Sequence, residues 1–149
     1  MRRLFVLTAA VCVFCVGYAV IAAGGEDHQA IKAAALDYAE GWYAGDEARM
    51  EGCLHPDLAK RTMKVDKETG DCKLDELTAE KLVEYTKAGY GKQTPTDKQL
   101  KEVTILDVFG NAATVKLEMA GWIDYMHLAK TGDRWLIVNV LWEPKSKTK

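Results

Sequence analysis

The stretch AATVKLEMAGWIDYMHLA, Ala112 to Ala129, alternates apolar and polar residues over most of its length and sets the character of the fold. Alternation at a period of two sends successive side chains to opposite faces of a strand, so this reads as a long strand with one face on a core. Gly121 in its middle predicts a bulge or bend, the device by which a sheet curls. Working outward, Lys101 to Phe109 and Arg134 to Trp142 alternate in the same way. Gly110-Asn111 and Thr131-Gly132-Asp133 separate the three segments and supply turn chemistry. The expectation is an antiparallel meander of three strands, two of them long.

Upstream the period changes. Ile31, Ala34, Ala35, Tyr38, Ala39, Trp42 and Tyr43 recur at steps of three and four, the spacing of one helix face, and Gly45 stops that helix. Asp46 caps a short second helix whose Met50, Cys53 and Leu54 face inward, and His55-Pro56-Asp57 is expected to end it, because a residue before proline avoids the helical region. A strand from Ala59 to Asp66, a hairpin tip at Glu68 to Asp71 and a partner strand near Lys73 follow. Thr78 caps a third helix with Leu77 and Leu82 placed as a hydrophobic staple, and Gly89 and Gly91 bracket its end. Helix, helix, hairpin, helix and then strands is an α+β order, with helices covering one face of a bent sheet.

The chain has 149 residues, room for one compact domain. Arg2 and Arg3, the uncharged run from Leu4 to Ala23 and the small residues before Glu26 have the form of an export signal. That run is also long enough to cross a bilayer, so an N-terminal membrane anchor is the alternative. Residues 1–23 are thus expected to be a leader, 24–144 the domain and 145–149 a basic tail, with the protein exported to a periplasm or secreted. Removing the leader takes 2 of the 20 basic residues, leaving 18 against 22 acidic ones and a net charge of 18 − 22 = −4. A mildly acidic chain with no basic stripe offers nothing to a phosphate backbone, so no nucleic-acid partner is expected. Any membrane contact would come through an uncleaved leader.

Cys12 and Cys15 fall in the leader as small apolar residues. Cys53 and Cys72 remain, and in an oxidising compartment they are either a disulfide pair or two separate thiols. A bridge would close a loop of roughly 20 residues and add about 3 kcal/mol. Two cysteines and His55 do not complete a structural zinc set, and no phosphate loop or nucleophile elbow appears, so neither metal nor cofactor is expected.

YAEGWYAGD (Tyr38 to Asp46), LHPDLAKR (Leu54 to Arg61), LTAEKLVEYTKAG (Leu77 to Gly89) and DRWLIVNVLWEP (Asp133 to Pro144) together resemble the nuclear transport factor 2-like superfamily, and within it the group named for lumazine binding. The likeness runs from about Ile31 to Pro144. It implies a cone in which a strongly curved mixed sheet wraps the first helices around an apolar cavity, and dimers formed through the outer sheet face. The superfamily holds ketosteroid isomerases, dehydratases and polyketide cyclases as well as proteins without a reaction, so the fold alone does not name a function.

In the isomerases a tyrosine on the first helix, eight residues before the aspartate of the AGD segment, donates to the substrate oxygen. Tyr38 stands at that spacing from Asp46, and its position on the apolar face equally fits a core tyrosine. The isomerase base is a carboxylate on the first strand, where this chain has Lys60, Arg61 and Thr62, and without an acceptor there the proton cannot be abstracted. A second acid would fall near Asp124 or Tyr125, and one step of register decides which of them faces inward. His55 and Asp57 read as turn residues bonded to nearby backbone, while His28 and His127 are isolated in sequence.

Two functional classes follow. One is an exported, non-enzymatic domain that binds a small apolar or aromatic molecule between Tyr38, Trp42, Trp122, Asp124 and Trp142, or that acts as a homodimeric scaffold. The other is a dehydratase or isomerase using Tyr38, His55 and Asp124 in the same pocket.

Overall fold

The computed structural model describes residues 25–145, so the leader expected over 1–23 and all but Lys145 of the basic tail lie outside the described residues. Within them the first helix, α1, covers 25–44, beginning before the Ile31 periodicity. It is followed by α2 (Glu47–Cys53), β1 (Leu54–Val65), β2 (Cys72–Thr78), α3 (Ala79–Lys87), β3 (Lys101–Phe109), β4 (Ala112–Met119), β5 (Trp122–Thr131) and β6 (Arg134–Pro144). Two short 3-10 turns, Tyr90–Gln93 and Thr96–Lys98, carry the chain from α3 to β3.

All six strands form one mixed sheet in the order β2-β1-β6-β5-β4-β3. Every neighbouring pair is antiparallel except β1 and β6, which run parallel. The sheet is open, with β2 and β3 at its edges. Register breaks at Leu54/Ala59, Ile105/Asp107 and His127/Leu128 each insert unpaired residues, which bend and twist the strands that carry them.

The caps are those the sequence sets out. Asp46 accepts from Arg49 N at 3.0 Å and Thr78 accepts from Lys81 N at 3.3 Å, each answering a first-turn N–H that lacks a helical partner. Gly45 adopts φ +66°, the left-handed conformation that ends α1.

Three expectations are corrected. Ala112 to Ala129 is two strands rather than one: the chain turns at Ala120-Gly121, and Leu117 of β4 lies opposite Asp124 of β5. The meander therefore has four strands, and Gly121 serves a tight turn, not a bulge. Second, α2 ends at Cys53, and His55-Pro56-Asp57 forms the wide irregularity at the start of β1; a strand conformation satisfies the pre-proline restriction as fully as a helix stop does. Third, Cys53 and Cys72 are free thiols. Cys53 precedes the first residue of β1, whereas Cys72 pairs with Val65 at the strand's far end, so a 12-residue strand separates them. Bridging needs Cα atoms within about 7 Å.

The core lies between the inner sheet face and the helices. Ile31, Ala35 and Tyr38 of α1 meet Val115, Leu117, Met126, Ile137 and Val140 of the strands, all buried. Tyr43 ties this helix to two strand ends, its hydroxyl donating to Leu100 O and accepting from Ala120 N, both at 3.0 Å. Near the helix start Asp27 accepts from Lys130 at 2.7 Å and from the Trp135 indole at 3.0 Å. Behind Trp42, the 3-10 turn comes so close that a Cβ on Gly91 would lie 2.0 Å from Trp42 O, which only glycine permits.

Candidate functional site

On β1 the inward positions alternate as Leu58, Lys60 and Thr62, all buried, with Arg61 turned to the other face. An ammonium on the core side of a strand must find a counter-charge or lose its proton. Lys60 finds Asp124 of β5, whose carboxylate is fully buried and takes a direct ion pair from Nζ. The other carboxylate oxygen accepts from the Trp122 indole N–H at 2.8 Å. Burial pushes the Lys60 ammonium below its ordinary value and Asp124 above its own, with the mutual attraction opposing both shifts.

Aromatic rings surround this pair. The Lys60 ammonium lies 5.4 Å from the Tyr38 ring centroid and 5.2 Å from that of Trp142, cation–π distances. Trp122 packs edge-to-face on Trp42 at 5.9 Å and on Trp142 at 6.3 Å. Burial, with Asp124 nearby, raises the Tyr38 phenol well above its usual value, so it stays a phenol at neutral pH.

These side chains line a half-open cavity of about 130 Å³. Tyr38, Lys60 and Leu82 form its buried floor, while Trp42, Leu77, Tyr85, Trp122 and Trp142 form a half-buried rim. α1 supplies Tyr38 and Trp42 one turn apart, and β5 and β6 set Asp124 opposite Trp142. Leu77 and Leu82, spaced as the staple of α3, close one side. A larger groove of about 460 Å³ runs between α2 and α3, but Glu47, Glu51, Glu80 and Glu84 line it and it has no buried polar floor.

Of the residues singled out by sequence, Tyr38, Trp42, Trp122 and Trp142 share this cavity, and Asp124 lies beneath it, held by Lys60 and Trp122. The register question is settled: Asp124 faces in, while Tyr125 is 45% exposed on the outer face. His55 does not line the cavity; its Nδ1 accepts from Asp57 N at 3.1 Å on the β1 irregularity. Sequence reasoning missed Lys60, treating it as part of a lost base; the alternation of Leu58, Lys60 and Thr62 was the signal that placed it inside. Among the described residues no group of three or more His, Cys, Asp and Glu side chains is placed to hold a metal.

This open sheet with helices on one face is the nuclear transport factor 2-like fold, and solved structures bear that out. An NTF2-like protein of unknown function from Shewanella baltica OS155 superposes with a TM-score of 0.63 at 19% identity, covering 81% of this chain and 95% of that one. An NTF2-like protein with a cystatin-like fold from Novosphingobium aromaticivorans gives 0.66 at 12% identity over 89% and 91%. A ketosteroid isomerase-like protein from Erwinia carotovora atroseptica gives 0.55 at 13% over 79% and 95%. No curated protein matches the sequence. The family described as "Putative lumazine-binding" matches residues 26–143, and the chain belongs to that family.

Proposed function

We propose that the chain is an exported, non-enzymatic binding domain that takes a small apolar or aromatic molecule between Tyr38, Trp42, Trp122 and Trp142, above Asp124. The observation that carries this is the cavity itself: ring walls around a floor whose one charged group, Lys60, is neutralised by Asp124. Flat apolar walls with few polar groups suit reversible binding of a flat ligand. The family's name points to a small molecule as well. A volume of about 130 Å³ is below the 300 Å³ or so that drug-sized ligands need, and near the roughly 150 Å³ that accepts benzene. The ligand is therefore a single ring or a chain of similar bulk.

A chemical role is less well supported. No carboxylate or imidazole lines the cavity, and the Asp124 oxygens are occupied by Lys60 and Trp122. Native mass spectrometry of protein purified from its own host tests the reading: a retained small molecule lost on denaturation supports it, and a persistently bare chain that also ignores added single-ring compounds contradicts it. Sequencing the exported protein's N-terminus tests the leader; a start near Ala22 or Ala23 is expected and a start at Met1 opposes cleavage.

We infer a homodimer through the outer sheet face. Leu141 and Tyr125 are cross-strand neighbours there, 51% and 45% exposed, and Met63 and Leu74 pair beyond them at 48% and 57%. Apolar side chains grouped this way favour a covering partner. Sedimentation at micromolar concentration should give twice the chain mass; a monomer there contradicts it.

A further inference from the structure

Resting on the reading that two copies meet through the outer sheet face, we propose that the β1–β2 ribbon is a clasping arm whose apolar side seats in a depression at the opposite corner of the second copy's sheet. Every residue from Met63 to Leu74 is exposed, so the ribbon stands clear of the body on both of its faces. The pairs Met63–Leu74 and Val65–Cys72 occupy one of those faces, and Lys64 and Lys73 pair on the other. A two-stranded ribbon is marginal alone in water, and an apolar face on it calls for a cover.

The depression, of about 260 Å³, is at the far corner of the same outer face. Strand registers set Phe109 beside Ala112 and Ala129, and Asp107 beside Thr114 and His127, on the face that carries Tyr125 and Leu141. Small side chains floor it, and Phe109, 86% exposed, stands at its edge. A face that holds both a projection and a hollow is self-complementary under a two-fold axis. Counted in strands of about 4.8 Å and residues of about 3.3 Å, arm and depression each lie about 12 Å from Leu141, in opposite directions. A two-fold axis through Leu141, along the other diagonal of the face, lays each arm on the partner's depression. The two sheets then cross near a right angle, one of the ways in which sheets pack. Both contacts form at once and the assembly closes at two copies, which favours a second copy over any other occupant.

The test uses the full chain with Ala112→Cys, an exposed position on the floor, oxidised mildly with copper phenanthroline and mapped by peptide mass spectrometry. Positions 72 and 112 lie at opposite corners of one sheet, so a bond between them joins two copies. Cys72, in the outermost apolar pair of an edge strand, sits at the rim of the contact and stays open to small reagents. The expected product is a covalent dimer bonded from Cys72 to the thiol at position 112. Thr104→Cys, also exposed on the outer face but outside the depression, should give at least about tenfold less, because bonding needs Cα atoms within about 7 Å. A dimer by sedimentation that gives equal yields from the two variants, bonds only between like positions, or no bond overturns the arm and leaves the homodimer reading standing. A monomer overturns both and leaves the ribbon to a partner other than this chain.

Discussion

At the scale of single residues, the buried Lys60–Asp124 pair dominates. Taking two charges out of water is repaid only by close pairing and further hydrogen bonds, which Trp122 supplies. Asp124→Asn strands the ammonium and should cost about 3–5 kcal/mol in urea unfolding. Lys60→Met with Asp124→Leu removes both charges and should lie within about 2 kcal/mol of the parent, the residual loss being the unpaired Trp122 indole. A double variant as unstable as the single one would show that the charges are not coupled. The two cysteines make a second case. Burial pushes the Cys53 thiol up to about 12 and its Sγ donates to Met50 O at 3.0 Å, whereas Cys72 is exposed. An aromatic disulfide reagent should titrate Cys72 in the native protein and Cys53 only after denaturant, and two unreactive thiols in denaturant would restore the bridge.

At the scale of elements, Asp27 fastens the start of α1 to β5 and β6. Hydrogen bonds from Lys130 and Trp135 hold its carboxyl below the usual 3.8. A depressed carboxylate contributes stability that is complete above the unfolded value and lost as pH falls through the folded one. Stability should therefore fall as pH drops below about 4, a window Asp27 shares with the similarly depressed Glu40, Asp66 and Glu118, and Asp27→Asn should reduce that slope while lowering stability at neutral pH. An unchanged slope would remove Asp27 from the account. Local signals made much of the architecture legible: the caps at Asp46 and Thr78 and the helical period of α1 appear where the sequence sets them. What it did not disclose was long-range. A glycine between two alternating runs fits a bulge or a turn equally, and only the pairing of Leu117 with Asp124 decides. Proline after His55 rules out helix without choosing between a helix stop and an irregular strand.

At the scale of the whole molecule, the site is assembled from six elements that no local pattern joins: α1, β1, β2 and α3 around the opposed ends of β5 and β6. The aromatic members could be picked out because indoles at matching levels stand out in a sequence. Lys60 was passed over because a cation beside Arg61 reads as surface, although its place between Leu58 and Thr62 in the alternation of β1 turns it inward. The central claim is that this assembly is a ligand cavity and not a filled core. The chain has four tryptophans, and each indole N–H gives its own resonance in a nitrogen–proton correlation spectrum. Trp42, Trp122 and Trp142 ring the cavity, while Trp135 is tied to Asp27 elsewhere. Titrating toluene should move the first three along one saturating curve with a dissociation constant below about 1 mM, worth about 4 kcal/mol, and leave Trp135 in place. Four stationary resonances, or four that drift together without saturating, would contradict the claim.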